Sequence, residues 1–191
     1  MMPGLAIPVG AFLLGLCLSC SEYTPKPRGY LRIDPPAPSY RALPLDELPY
    51  TFNISSLPEI ELPPAGDSAG WINLSYPSLG AKIYCSYLSI QPSALGVVME
   101  ESRRLVVRQS QDAHSITEQA YNNPGKRVYA CVYQLDGASV SPVQFTLTDS
   151  MYNFFRGSLF YNRRPNGDSI APVTHYLKND IIELIQSFNW K

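Results

Sequence analysis

The order and period of the apolar residues predict an α+β fold. It is an antiparallel sheet of about six or seven strands covered by two main helices, a layered sandwich, preceded by a proline-rich tether. Three observations predict it. Short aromatic-rich segments with period-two alternation follow one another between turn residues. Two longer segments repeat their apolar residues at helical spacing. Ten of the eighteen prolines fall between Pro25 and Pro64, where each removes a backbone donor and biases its predecessor toward extended conformations.

Taken in order, the chain begins with an apolar segment, Leu5 to Leu16, of about a dozen residues. A membrane-spanning helix needs about 20, but this length suits the apolar region of a signal peptide. The segment closes on Cys17-Leu18-Ser19-Cys20. A zinc corner would want a second pair of ligands, and the rest of the chain offers only Cys85, Cys131, His114 and His175, widely scattered. A redox pair would follow a strand and open a helix. Small Ser19 before Cys20 instead suits a cleavage site, whereas bulky Leu16 precedes Cys17. Residues 1–19 therefore read as a signal peptide. The segment resembles the lipobox of bacterial lipoproteins, in which the first mature Cys carries a thioether-linked diacylglycerol and an N-acyl chain; here that is Cys20. An uncleaved apolar anchor is the alternative.

Residues 20–49 read as the lipidated N-terminus and tether. At about 3.1 Å per residue a polyproline-like segment from 21 to 49 spans about 90 Å. It is either a plain spacer or a docking strap, because a solvent spacer has little use for apolar side chains. In the strap reading Tyr23, Arg28, Tyr30 and Arg32 are the residues that dock on a partner.

Residues 50–191 read as a single α+β domain. Strand candidates are "YTFNI", then the hairpin "WINLSYP" and "AKIYCSYLSI" split by Ser78-Leu79-Gly80. After Pro92-Ser93 the period changes. Leu95, Val98, Met99, Ser102, Leu105, Val106 and Gln109 form one helical stripe, with Ser93 as the expected N-cap and Glu100–Arg104 as a supporting pair. Four strands follow: "SITEQAYN", "KRVYACVYQL", "SPVQFTLTD" and "YNFFRGSLFYN", with turns at Asn123-Pro124-Gly125 and Asp136-Gly137. The last helix starts after Asp168-Ser169, with Pro172 expected in its first turn. Its buried face is Ile170, Val173, Leu177, Ile181, Leu184, Ile185 and Phe188.

The composition excludes several functions. A net charge of −1 gives no basic face for nucleic acid. No apolar run beyond Cys20 reaches 18 residues. There is no G-x-S-x-G elbow and no H-E-x-x-H pair. Accordingly no catalytic residue, no small-molecule substrate, no metal and no cofactor beyond the acyl chains on Cys20 is expected. Cys85 and Cys131 stay open, as a disulfide or as separate small core residues. Arg156, set in a strand before Gly157, is expected to make a buried ion pair.

The chain resembles the gliding-motility lipoprotein GldD family of the Bacteroidetes. The pieces that carry the resemblance are the lipobox Cys20, "YTPKPRGYLRID" at 23–34, "ESRRL" at 101–105, "SPVQFTLTDS" at 141–150, "FFRGSLFYN" at 154–162 and the ending "YLKNDIIELIQSFNWK". The resemblance implies an envelope lipoprotein, anchored to the outer membrane on its periplasmic side and needed for gliding and type IX secretion. It further implies protein partners among the other lipoproteins and periplasmic components of that machinery, and no catalysis. A periplasmic module that binds cell wall or carbohydrate is the alternative.

Overall fold

The computed structural model describes residues 37–64, 69–137, 139–162 and 167–191. Three short strands come first, β1 (Tyr40–Ala42), β2 (Tyr50–Thr51) and β3 (Asn53–Ser55). The main sheet begins with β4 (Glu59–Glu61), β5 (Ile72–Tyr76) and β6 (Ala81–Ser89). Helix α1 (Leu95–Gln109) leads to β7 (Ala113–Asn123), β8 (Val128–Gly137), β9 (Val143–Thr148) and β10 (Asn153–Tyr161). Helix α2 (Gly167–Ser187) and β11 (Asn189–Trp190) end the chain.

The sheet has seven strands in the order β4-β5-β6-β10-β9-β8-β7, every neighbouring pair antiparallel. Two meanders are thus joined in the middle. The chain leaves β6, crosses the sheet through α1, and works back from the far edge until β10 closes on β6, with Phe155 opposite Tyr87 and Gly157 opposite Cys85.

Alternation along the strands sorts the two faces. One face presents Ile72, Leu74, Ile83, Phe145, Leu147 and Leu159, and α2 lies on it through Val173, Leu177, Ile181, Leu184 and Ile185, with Phe188 just past the helix end. All six were on the stripe expected from the sequence and are buried, whereas Ile170 of that stripe is half-buried. The other face carries α1, whose Val106 packs with Tyr133 and Leu135 of β8. Gly157 sits where the first face is closely packed. A Cβ there would lie 2.1 Å from Cζ of Phe145, so the strand glycine marks a ring laid directly on backbone.

Beside the sheet, Tyr50, Phe52, Phe155 and Phe188 form an aromatic cluster. Tyr50 and Phe52 stack at 5.8 Å, Phe188 stacks on both, and Phe155 meets Tyr50 edge-on at 4.9 Å. The ending is built into this cluster: β11 pairs with β2, and Trp190 meets Phe188 edge-on and donates to the Arg127 carbonyl.

Several local expectations are corrected. Tyr40–Pro49, counted above with the tether, packs on the domain, because β1 pairs with β3, Leu43 is buried and the Lys191 amide bonds the Pro49 carbonyl. "YTFNI" divides into β2 and β3, which take different partners. "PEIEL", absent from the strand candidates, supplies the edge strand β4, fastened by Lys82 to Glu61 at 2.7 Å. Ser93 does not cap α1. It lies in a 3-10 turn that feeds straight into the helix, so backbone carbonyls of Gln91 and Pro92 already accept the first amides. Pro172 stands inside α2, past the first turn. Glu100 does pair with Arg104, and with Arg103 as well.

Candidate functional site

Cys20, Tyr23, Arg28, Tyr30 and Arg32 lie outside the described residues. The disulfide is overturned: Cys85 and Cys131 are both free thiols. Cys85 faces the α2 core and Cys131 the opposite side. Two strands stand between theirs, a separation of about 14 Å at about 4.8 Å per strand, against the roughly 7 Å that a bridge tolerates. Burial pushes both thiols' pKa values up. His114 and His175 are exposed. Among the described residues no three His, Cys, Asp or Glu side chains are grouped to hold a metal, and no helix is long and apolar enough to cross a membrane.

A cleft of about 380 Å³ between α1 and the sheet gathers polar groups over an aromatic floor. Its floor is made by β6 and β10, which alternation arranges in rows. Ser86, Arg156, Thr146 and Cys131 run across one row, and Tyr84, Ser158, Gln144 and Tyr133 across the next. Phe154 and Phe160 extend the floor along β10, Trp71 and Tyr84 form one rim, and Val98, Ser102 and Leu105 of α1 form the roof. Tyr84 and Phe160 meet edge-on at 5.6 Å.

Arg156 is central to this floor. The expected ion pair is absent: no carboxylate lies within 4 Å of it among the described residues. Its Nη2 donates to Gln144 Oε1 at 2.6 Å, one bond from a group with five N–H donors. Burial draws its pKa down. Gln144 is fully buried, and its Nε2 has no partner among the described residues; the same is true of Ser158 Oγ on the floor and Ser102 Oγ on the roof. Most buried polar atoms in folded proteins are paired, so a cluster of unpaired ones around one cleft is informative. Glu101 reaches the cleft from α1 but is exposed and makes no ion pair with Arg156.

Two buried carboxylates elsewhere are fully occupied. Asp180 of α2 accepts from Tyr40 at 2.9 Å, Ser55 at 2.7 Å and Tyr76 at 3.3 Å. Burial outweighs these bonds and raises its pKa. It ties β1, β3 and β5 to the helix. Asp149 holds the β9–β10 turn, taking the amides of Met151, Tyr152 and Asn153 and the Asn153 side chain. Burial alone would raise its pKa, but those donors together lower it. Both are structural.

Sequence reasoning singled out Arg156 but missed Gln144, Ser158 and Ser102 as its surroundings. A signal was present in β9, whose "VQFTLT" puts Gln144, Thr146 and Thr148 on one face; that this polar face is also buried follows only from strand order.

Fold and cleft together define an α+β domain with two helices, a seven-stranded main sheet and a cleft between α1 and that sheet. The chain belongs to the family described as gliding motility lipoprotein GldD, which matches residues 20–190. Membership implies a membrane-anchored lipoprotein. No curated protein sequence matches the chain. A solved structure similar to it is the solution structure of cyanobacterial PsbP (CyanoP) from Synechocystis sp. PCC 6803. The TM-score is 0.48 at 11% identity, covering 80% of this chain and 93% of that one. A likeness at that level carries no functional argument.

Proposed function

We propose that this protein is a lipoprotein required for gliding motility and type IX protein secretion, where it assembles or stabilises other envelope components through protein–protein contacts. The family match over residues 20–190 carries the reading. In it, residues 1–19 are removed and Cys20 bears the diacylglycerol and N-acyl chains. The protein sits on the outer membrane facing the periplasm, and its partners are other lipoproteins and periplasmic components of the same machinery. It does no catalysis. The strap docks through Tyr23, Arg28, Tyr30 and Arg32, a mixture of apolar anchors and charges that suits a groove. β7 offers a second contact. It is eleven residues long, exposed along most of its length and paired on one side alone among the described residues, the geometry that accepts an added strand.

The strap reading is tested by replacing residues 23–34 with a Gly/Ser segment of equal length, which keeps reach and removes the anchors. The variant is expected to stay lipidated and folded yet fail to restore secretion or gliding in a deletion strain. Full complementation reduces the segment to a spacer. The cleft favours a second reading, a module that binds cell wall or carbohydrate, because aromatic walls with convergent polar groups are what a ligand pocket requires.

A further inference from the structure

We propose that the cleft between α1 and the sheet binds a carboxylate joined to an aromatic or branched aliphatic body. The carboxylate meets Arg156, with Ser158 and Ser102 beside it, and the body lies against Phe154, Phe160 and Leu105. This goes beyond the docking reading and does not rest on it, since neither the strap nor β7 takes part.

Four observations carry the inference. The first is charge. A guanidinium partly drawn out of water costs free energy unless it is paired, and half-buried Arg156 has, among the described residues, one neutral acceptor and no carboxylate. The second is direction. Gln144, itself buried with no exposed surface, holds one edge of the guanidinium, which leaves other N–H groups for a second acceptor. Arginine suits that role because its planar fork accepts a carboxylate through two parallel bonds.

The third observation is the pair of unpaired hydroxyls. Ser158 follows Arg156 by two residues on the same strand face, and Ser102 lies on the helix that roofs the cleft. Both are buried, and neither has a partner among the described residues. Hydroxyls and guanidinium alike can donate to one anionic group. The fourth is the wall. Beyond this polar end the cleft is aromatic and aliphatic, and its volume of about 380 Å³ is near the lower end of small-ligand pockets. A bare anion such as phosphate would leave that wall uncovered, and a neutral sugar would leave the guanidinium uncompensated. An amphiphilic carboxylate satisfies both. Two sources share this chemistry: a free carboxylic acid, and the last residue of a partner polypeptide.

The test uses the intact chain in nanodiscs of zwitterionic lipid, titrated calorimetrically with 3-phenylpropionate, with 3-phenylpropionamide, and with acetyl-Gly-Phe bearing a free C-terminus. The acid is expected to bind at least about tenfold more tightly than the amide, because the amide cannot take the ionic bond. Arg156→Met should weaken acid binding by at least about tenfold, and because it also leaves the buried Gln144 amide without its partner a modest fall in unfolding temperature is expected beside it. Equal binding of acid and amide overturns the proposal, as does acid binding that survives Arg156→Met. So does no binding of any probe up to about 10 mM, where even a weak site would register. The acid–amide comparison is made on the parent chain and holds whether or not the variant folds. Tighter binding of the peptide than of 3-phenylpropionate assigns the site to a polypeptide terminus; the reverse assigns it to a free acid.

Discussion

The two faces of the sheet are made by the same strands and covered by one helix each, yet they differ in how far they are finished. On the α2 side, alternate residues of β5, β6, β8, β9 and β10 meet five helix side chains and Phe188 just beyond them, and exclude water. On the α1 side, of the helix's own residues only Ser102 and Val106 are fully buried. Large rings and an arginine line the sheet there, and three buried polar side-chain atoms around the cleft have no partner among the described residues. A close-packed face specifies the fold. A face left incomplete around a cation and two hydroxyls has room for something that is not part of the chain.

The largest effect should come from attacking the finished face. Ile181→Asp puts a charge on the fully buried stripe of α2, where burial without a partner costs several kcal/mol. We expect loss of cooperative thermal unfolding. A soluble Ile181→Asp protein of parental stability would show that α2 does not seal this face, and the contrast between the two faces would collapse.

A smaller loss should follow Gly157→Ala. The added methyl meets the Phe145 ring, and overpacking of this kind costs about 1–3 kcal/mol. Chemical denaturation reads it directly. A neutral result would mean that the ring turns aside and that the α2 face at Gly157 is looser than its geometry.

The smallest effect concerns pH. Asp180 is a carboxylate on the α2 side whose pKa is raised by burial. A raised carboxyl takes up a proton more readily folded than unfolded. Its contribution to stability is therefore fully present below the unfolded value of about 3.9 and is lost as pH rises through the folded value. Asp180→Asn removes this titration. The stability difference between parent and variant should shift in the parent's favour between pH 7 and about pH 4; a difference flat with pH would show that the hydroxyls of Tyr40, Ser55 and Tyr76 compensate the charge completely.

Much of the finished face was legible in the sequence, and the unfinished one was not. Val173 to Phe188 announced themselves by helical spacing, because a stripe of apolar residues has one use in water. The long strands announced themselves by alternation. Period says nothing about which strand lies beside which, however, and the cleft depends on β10 lying between β6 and β9. Only that order sets Gln144 against Arg156 and replaces the expected carboxylate with an amide. The same blindness to neighbours left the Cys85–Cys131 pair open and missed Asp180, whose place on the apolar stripe between Leu177 and Leu184 was the available signal. It also put the edge of the domain at Tyr50, since a three-residue strand at Tyr40 shows itself only by what it pairs with.

The order of the strands also sets a schedule for folding. β6 is made early in the chain, but its second neighbour is β10, reached only after α1 and three further strands, and β2 waits for β11 at the very end. Pairings between segments so far apart in sequence form slowly, because the intervening loop must be closed before any contact rewards it. A chain delivered from its N-terminus therefore carries β4–β5–β6 for a time with one edge bare and its apolar face uncovered, the state in which strands find wrong partners. The fold locks only when its last residues, Phe188 and Trp190, arrive.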